Sequence, residues 1–295
     1  MQLPEPYRVR IRSSCFGANP LADPLPENLA FGEGVPVLID LSEVDFIHPS
    51  GLAFVFALAF TLRRLSRDVR IREPSAPDTR DYLLRTNFWG ALETQGFTIP
   101  AEWRGYNIGR AQGLIEPSIV RTDATVRENV ETSVMLFDRL RAALVRAGIL
   151  GRDRVASVFS ELSLNAAEHS HSPRGAFVMA QAYPARHEIE IAVADVGRGI
   201  RAALGADEYP SHAAAVFAAM REQVTGRRDA AGNPAEGGYG LPIVAEEADY
   251  LAIRTGDALL EGQSVRDERG ELVLTARPVV ALDGTLVVAT VSTQK

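Results

Sequence analysis

Lysine is almost missing from this chain. In 295 residues the only one is Lys295, so arginine carries nearly all of the positive charge. A phosphate-binding lysine inside the fold is therefore excluded, and arginine or backbone N–H groups must do any such work. Cysteine is equally scarce. Cys15 stands alone, which excludes an intrachain disulfide and a cysteine-based zinc cluster and makes the cytoplasm the expected compartment. No long apolar run is present. The most apolar stretch, Leu52–Leu62, is followed by Arg63 and Arg64 and is far shorter than the roughly 20 residues a membrane helix needs. It reads as a buried helix, and no membrane association is expected. The opening MQLPEPYRVR has no apolar core of the kind a signal peptide needs. Nor does a basic patch stand out. The net charge is −7, so a nucleic-acid backbone is not an expected partner.

What is present is the composition of a soluble globular protein, 46% apolar and 23% charged, with length enough for two domains. Arg8, Arg10 and Arg12 alternate with Val9 and Ile11, the period of a half-buried strand. Pro36–Leu41 is the short apolar run of a central strand. His48-Pro49-Ser50-Gly51 then opens the apolar helix, with proline suited to its first turn. Val69–Arg72 reads as a strand and Asp78–Thr86 as a helix, ended by Asn87-Phe88-Trp89-Gly90. A connector with one short strand, Ser118–Arg121, leads to a helix over Glu128–Ala147. Its stripe is Val130, Val134, Phe137, Leu140 and Leu144, and Gly148 and Gly151 stop it. Asp153 is placed to cap the next helix, Arg154–His169. Strands are expected at Ala176–Ala182 and Glu188–Ala194, then a loop-rich stretch from Gly197 to Gly240, a helix over Leu241–Ala248, and strands near Leu251–Arg254, Glu271–Ala276 and Thr285–Val291.

Three features in the C-terminal part carry chemistry. On the helix ending at His169, Glu161, Asn165 and Glu168 fall at i, i+4 and i+7 and share a face. There an amide oxygen can ligate Mg²⁺ and a carboxylate can act as a base. Asp195-Val196-Gly197-Arg198-Gly199 follows directly on an apolar strand. The Asp can accept from an exocyclic amine, while Gly197 and Gly199 permit close backbone approach. Gly237-Gly238-Tyr239-Gly240 precedes a helix and can make an anion cradle of backbone N–H groups. Singly, each has a plain alternative: a solvated helix face, a turn, a hinge.

In this order the three resemble the motifs of the GHKL ATPase superfamily, which includes gyrase, histidine kinases, mismatch-repair ATPases and heat-shock chaperones. The chain looks most similar to the ATPase domains of anti-sigma-factor serine kinases. The resemblance covers about residues 115–295, with Asp283-Gly284-Thr285-Leu286 similar to the Gly-Thr lead into the last strand of those domains. It implies a Bergerat α/β sandwich with helices on one face of a mixed sheet, and binding of ATP with Mg²⁺. Asn165 would hold the metal and Glu161 would be the general base. Asp195 would read the adenine amino group, with Gly199 close to the base and Gly197 also among the nucleotide-binding residues. Gly238 and Gly240 would hold the phosphates, and Arg227 and Arg228 would belong to a lid. None of the five histidines lies on the Glu128–Ala147 helix, which argues against a histidine autokinase.

The segment VLIDLSEVDFIHPSGLAF resembles a STAS domain, over about residues 5–100. Such domains carry Asp-Ser-Ser/Thr-Gly where this chain has His48-Pro49-Ser50-Gly51, so Pro49 occupies the usual phosphoacceptor place and Ser50 comes one later. A docking or regulatory role is the expectation. Together these give a two-domain α+β / α/β protein: a STAS-like domain at 1–105, linker and first strand at 106–124, and an ATP-binding domain at 125–295. Three functions are compatible: an ATP-dependent Ser/Thr kinase acting on a STAS protein or sigma-factor-like regulator, a nucleotide-gated binding module, and an ATPase, the last in the form of a homodimeric clamp. The clamp is weakened by the missing lysine.

Overall fold

The structure, a computed structural model, describes residues 6–13, 35–66, 68–100, 103, 114–121, 126–146, 152–221, 240–263, 267–268 and 273–294. Its first layer is a parallel sheet of β1 (Tyr7–Ser13), β2 (Val37–Val44) and β3 (Val69–Arg72), with β2 central. One face of this sheet presents arginine. Arg8 and Arg72 approach Asp40, Arg10 and Arg12 approach Glu43, and Arg70 pairs with Asp68. Burial alone would raise the Asp40 carboxyl, but bonds from Ser42 and the charges of Arg72 and Arg8 leave it below its ordinary value. These arginines are therefore balanced by carboxylates on their own sheet.

The other face of β1–β3 is apolar and packs on α1 (Pro49–Leu65), in which every residue from Pro49 to Leu62 is buried. An amphipathic helix needs only one buried stripe; a helix buried all round needs a second apolar surface. The C-terminal sheet supplies it. That sheet runs β4 (Leu114–Val120), β5 (Ala176–Tyr183), β6 (Glu188–Asp195), β8 (Thr275–Ser292), β7 (Tyr250–Gln263), and every pairing is antiparallel. Phe177, Met179, Ala192, Ala194, Leu286 and Val288 point to the α1 side and share its core. The alternate residues, among them Val178, Ile191, Val193, Val287 and Ala289, point the other way. On that side lie α4 (Val126–Arg146), α5 (Arg152–His169), α7 (His212–Ala219) and α8 (Gly240–Glu247). Strands with both faces covered read as nearly continuous apolar runs, as AFVMAQA and IAVA do here.

The first turn of α1 is closed from far along the chain. His48, at the N-cap, makes no side-chain cap bond, and Pro49 has no N–H to satisfy. The Ser50 N–H donates instead to Glu190 Oε1 at 2.9 Å, and His48 Nδ1 lies 3.0 Å from Glu190 Oε2 and 2.9 Å from the Tyr183 hydroxyl. A carboxylate at a helix N-terminus meets both the unpaired N–H groups and the positive end of the helix dipole. Ser50 itself is fully buried there.

Several sequence expectations need correction. The C-terminal sheet is antiparallel, not mixed, and its second face is covered by α1. Asn87, with φ of +54°, ends α2 (Pro77–Arg85) as read, but α3 (Phe88–Thr94) starts at the next residue. The short strand at Ser118 begins at Leu114. On α4 the buried residues among those described are Leu136, Leu140 and Leu144, while Val134 is 54% exposed and the Val130 side chain lies outside the described residues. The run Val134-Met135-Leu136-Phe137 is apolar throughout, so its phase is not readable from spacing. Asp153 lies in the first turn of α5, not at its cap. The stretch after Gly197 contains two helices, α6 (Gly199–Leu204) and α7, the latter capped by Ser211, which accepts from the Ala214 N–H. The two strands expected near Glu271–Ala276 and Thr285–Val291 are parts of one strand, β8. Gly148 and Gly151 lie outside the described residues. Among the described residues no helix is long and apolar enough to cross a membrane.

One α1 shared between two sheets predicts joint unfolding. Phe56 packs on Phe60 and, across the layers, on Phe177. Phe56→Ala is expected to cost about 3–5 kcal/mol in urea denaturation. The fluorescence of Trp89 and Trp103, which reports the first layer, and far-UV circular dichroism, which reports both, should shift to the same lower midpoint. A shift in fluorescence alone would mean that the layers unfold separately.

Candidate functional site

Helix α5 is the frame of the site. It packs antiparallel to α8, and Arg154 near its start binds the far end of α8 through Glu247 at 2.9 Å. That pairing brings the first residue of α8, Gly240, onto the face of α5 that carries Glu161 and Asn165. A Cβ at Gly240 would fall 2.7 Å from Glu161 Oε2 and 2.8 Å from Asn165 Nδ2, so a larger residue there would push these two side-chain ends aside. Asn165 Nδ2 is buried and has no hydrogen-bond partner among the described residues. A buried, unpaired amide is costly, and an amide poised beside a helix N-terminus is suited to a polar ligand that would satisfy it. Glu168, a turn further on, is half-buried.

The second group hangs from the far end of the same helix, about 6 Å of helix beyond Asn165 at a rise of about 1.5 Å per residue. The His169 carbonyl accepts from Arg198 Nε at 3.0 Å and the Ser170 carbonyl from the Arg198 N–H at 2.9 Å. Gly197 lies so close to Ser170 that a Cβ would sit 1.9 Å from its carbonyl oxygen. Gly199 has φ of +73°, the left-handed region that favours glycine. Both glycines thus have a reason within the chain: they seat the loop between α5 and β7.

Asp195 closes β6 at the head of this loop. It is 4% exposed and faces the helix side of the sheet. Burial pushes its carboxyl up to about 7, against the opposing hydrogen bonds from the N–H groups of Gly197 and Thr285. The Gly197 bond measures 2.8 Å. Such a carboxyl changes charge near neutral pH and faces any donor placed before it.

Sequence reading therefore located two groups that the fold assembles on α5: Glu161, Asn165 and Gly240 at one level, and Asp195, Gly197 and Gly199 at its end. Gly238, Arg227 and Arg228 lie outside the described residues. Thr255 was missed. Its hydroxyl donates to the Gly284 carbonyl at 2.9 Å and accepts from the Ile200 N–H at 3.3 Å, tying three segments behind Asp195. Nothing in Arg254-Thr255-Gly256 signals this role locally. Among the described residues no three His, Cys, Asp or Glu side chains converge on a metal position. An open cavity of about 530 Å³ on the first sheet, lined by Leu38, Arg70, Arg72, Glu73, Thr98 and Pro100, shares no residue with this site.

No protein-family model matches the chain, and no curated protein matches it. Among solved structures it is similar to the ATPase region of Saccharomyces cerevisiae topoisomerase II, at 11% identity and a TM-score of 0.28, over 52% of this chain and 38% of the topoisomerase chain.

The raised Asp195 carboxyl gives a pH signature. With its folded value above its unfolded one, this group contributes stability that is full below about pH 4 and lost as pH rises through about 7. Between those limits the wild type should lose up to about 1.4 kcal/mol per pH unit relative to Asp195→Asn, which stays neutral. Urea denaturation of both proteins from pH 4.5 to 8 checks this; parallel stability curves would show that Asp195 is ionised throughout.

Proposed function

We propose that this chain is an ATP-binding signalling protein that transfers the γ-phosphoryl group to a serine or threonine of a protein partner. The observation that carries the reading is the meeting of Glu161 and Asn165 on Gly240, with the Asn165 Nδ2 buried and without a hydrogen-bond partner among the described residues. Gly240 and Leu241 at the start of α8 would offer N–H groups and a helix dipole to phosphate, Pro242 having no N–H to add. Asn165 Oδ1 would ligate Mg²⁺ together with phosphate oxygens, in keeping with a cation that rarely uses an all-protein cage. Bound there, Mg²⁺ would offset the negative charge of the phosphates. Asp195 would accept from the adenine amino group.

In transfer, the partner hydroxyl forms a bond to the γ-phosphorus as the bond to the bridging oxygen breaks, and ADP leaves. Glu161 takes the hydroxyl proton. Ser50, next to the place of the usual STAS acceptor, is fully buried against Glu190, which supports an acceptor on another molecule: a STAS protein or a sigma-factor-like regulator. A second reading, a nucleotide-gated binding module with little turnover, draws support from the direct contact of α1 with Asp283, whose N–H donates to the Thr61 hydroxyl. Residues 1–105 would then act as a docked regulatory domain on the ATP-binding domain at 125–295.

The test follows label from [γ-³²P]ATP in the presence of Mg²⁺. Transfer to a partner hydroxyl supports the kinase, and bound but intact nucleotide supports the gated module. Asn165→Ala is expected to weaken Mg-ATP binding by roughly a hundredfold, on the order of 3 kcal/mol. Glu161→Ala should bind normally and lower transfer by roughly 10² to 10⁴. Undiminished binding by the Asn165 variant would remove the site assignment, and undiminished transfer by the Glu161 variant would remove the base.

A further inference from the structure

Helix α1 reaches the Asp195 carboxyl from behind the sheet. The pairing of β7 with β8 is irregular here: Thr255 faces Thr285, yet the next residue, Gly256, faces Leu282. Asp283 and Gly284 are left over as a bulge. A bulge beside a functional group re-aims what it touches, and its backbone loses its ladder partners. One of those groups is satisfied from α1: the Asp283 N–H donates to the buried Thr61 hydroxyl at 3.2 Å. Arg64, one turn on, meets the Asp283 carboxylate at 2.5 Å.

The next two residues hold Asp195. Gly284 lies against it so closely that a Cβ would stand 2.1 Å from the Asp195 carbonyl oxygen and 2.7 Å from Oδ1. The Thr285 N–H bonds the same carboxyl. On the far side, Thr255 grips the Gly284 carbonyl and the loop at Ile200. The bulge is thus clamped between Thr255 and Thr61, with Asp195 between them.

We infer that Thr61, assisted by Arg64, is a positioning residue for base recognition: through the Asp283–Thr285 bulge, α1 fixes where the Asp195 carboxyl stands. This rests on the reading of Asp195 as the group that meets the purine amine. Arg64 is 72% exposed in its side chain, so its ion pair adds little by itself. The buried Thr61 hydroxyl has the larger part, because without it an N–H in a packed bulge has no acceptor.

The test compares dissociation constants for Mg-ATP and Mg-ITP, which carries a 6-oxo group in place of the 6-amino group. The wild type should prefer ATP. Thr61→Val keeps the shape and removes the acceptor. It should weaken ATP binding by about tenfold, the scale of one hydrogen bond lost when its acceptor is misplaced, leave ITP binding nearly unchanged, and bring the ATP/ITP ratio toward unity. Thr61→Ser should restore the ratio, and Arg64→Ala should lower it to a smaller degree. Asn165→Ala, at the phosphate end, should weaken both nucleotides alike. A general loss of fold lowers both affinities and the melting temperature together, so the ratio separates positioning from stability. A wild-type ratio in both Thr61→Val and Arg64→Ala would overturn the inference while leaving nucleotide binding intact. A wild type that binds neither nucleotide would instead overturn the site reading itself, and the inference with it.

Discussion

Helix α1 has no solvent side over its first fourteen residues, and much of the molecule follows from that. Burying a helix all round requires apolar surface on two opposite sides. Here one is a three-stranded parallel sheet and the other is the back of a five-stranded antiparallel one. Neither sheet could be left bare on the α1 side without exposing a large apolar patch. The polar demands of such a helix are met from outside it as well. Glu190 on β6 accepts from the Ser50 N–H in the first turn, and Thr61 near the other end accepts from the Asp283 backbone. Tyr82, itself pushed up by burial and by the Glu190 charge, bonds Gln181 in the same interface.

On the opposite face the organising element is α5. One helix carries the acid–amide pair at mid-length and anchors the Asp195 loop by its last carbonyl groups. The spacing between the two groups is therefore set by helical rise and not by loop geometry. The packing of α8 on α5, fixed at its far end by Arg154, sets Gly240 against the ends of the Glu161 and Asn165 side chains.

Much of this was legible in the sequence. Period-two alternation marked β1, unbroken apolar runs marked the covered strands, and Pro49 with the apolar stretch after it marked α1. The acid–amide spacing on α5 and the Asp195 loop were local patterns, and the fold brings their members together. What was hidden had non-local causes. The apolar quartet at Val134–Phe137 leaves helical phase undetermined, so the buried stripe of α4 was set by packing. Asp283-Gly284 reads as a break between strands, whereas it is a bulge inside one strand, held by α1 more than two hundred residues earlier. Helix α7 does carry a local signal, Ser211 before an alanine-rich run. Thr255 and Glu190 have no signature at all, because each acts on segments remote in sequence.

The cap on α1 also orders events in time. Ser50 and Glu190 are 140 positions apart, and contacts of such separation form late because the intervening chain must first be brought together. During synthesis the first layer leaves the ribosome with its central helix still lacking both its cap and half of its apolar cover. It can complete its core only when β6 and β8 have been made, so chaperone binding or aggregation would compete with folding in the interval before the last strand emerges.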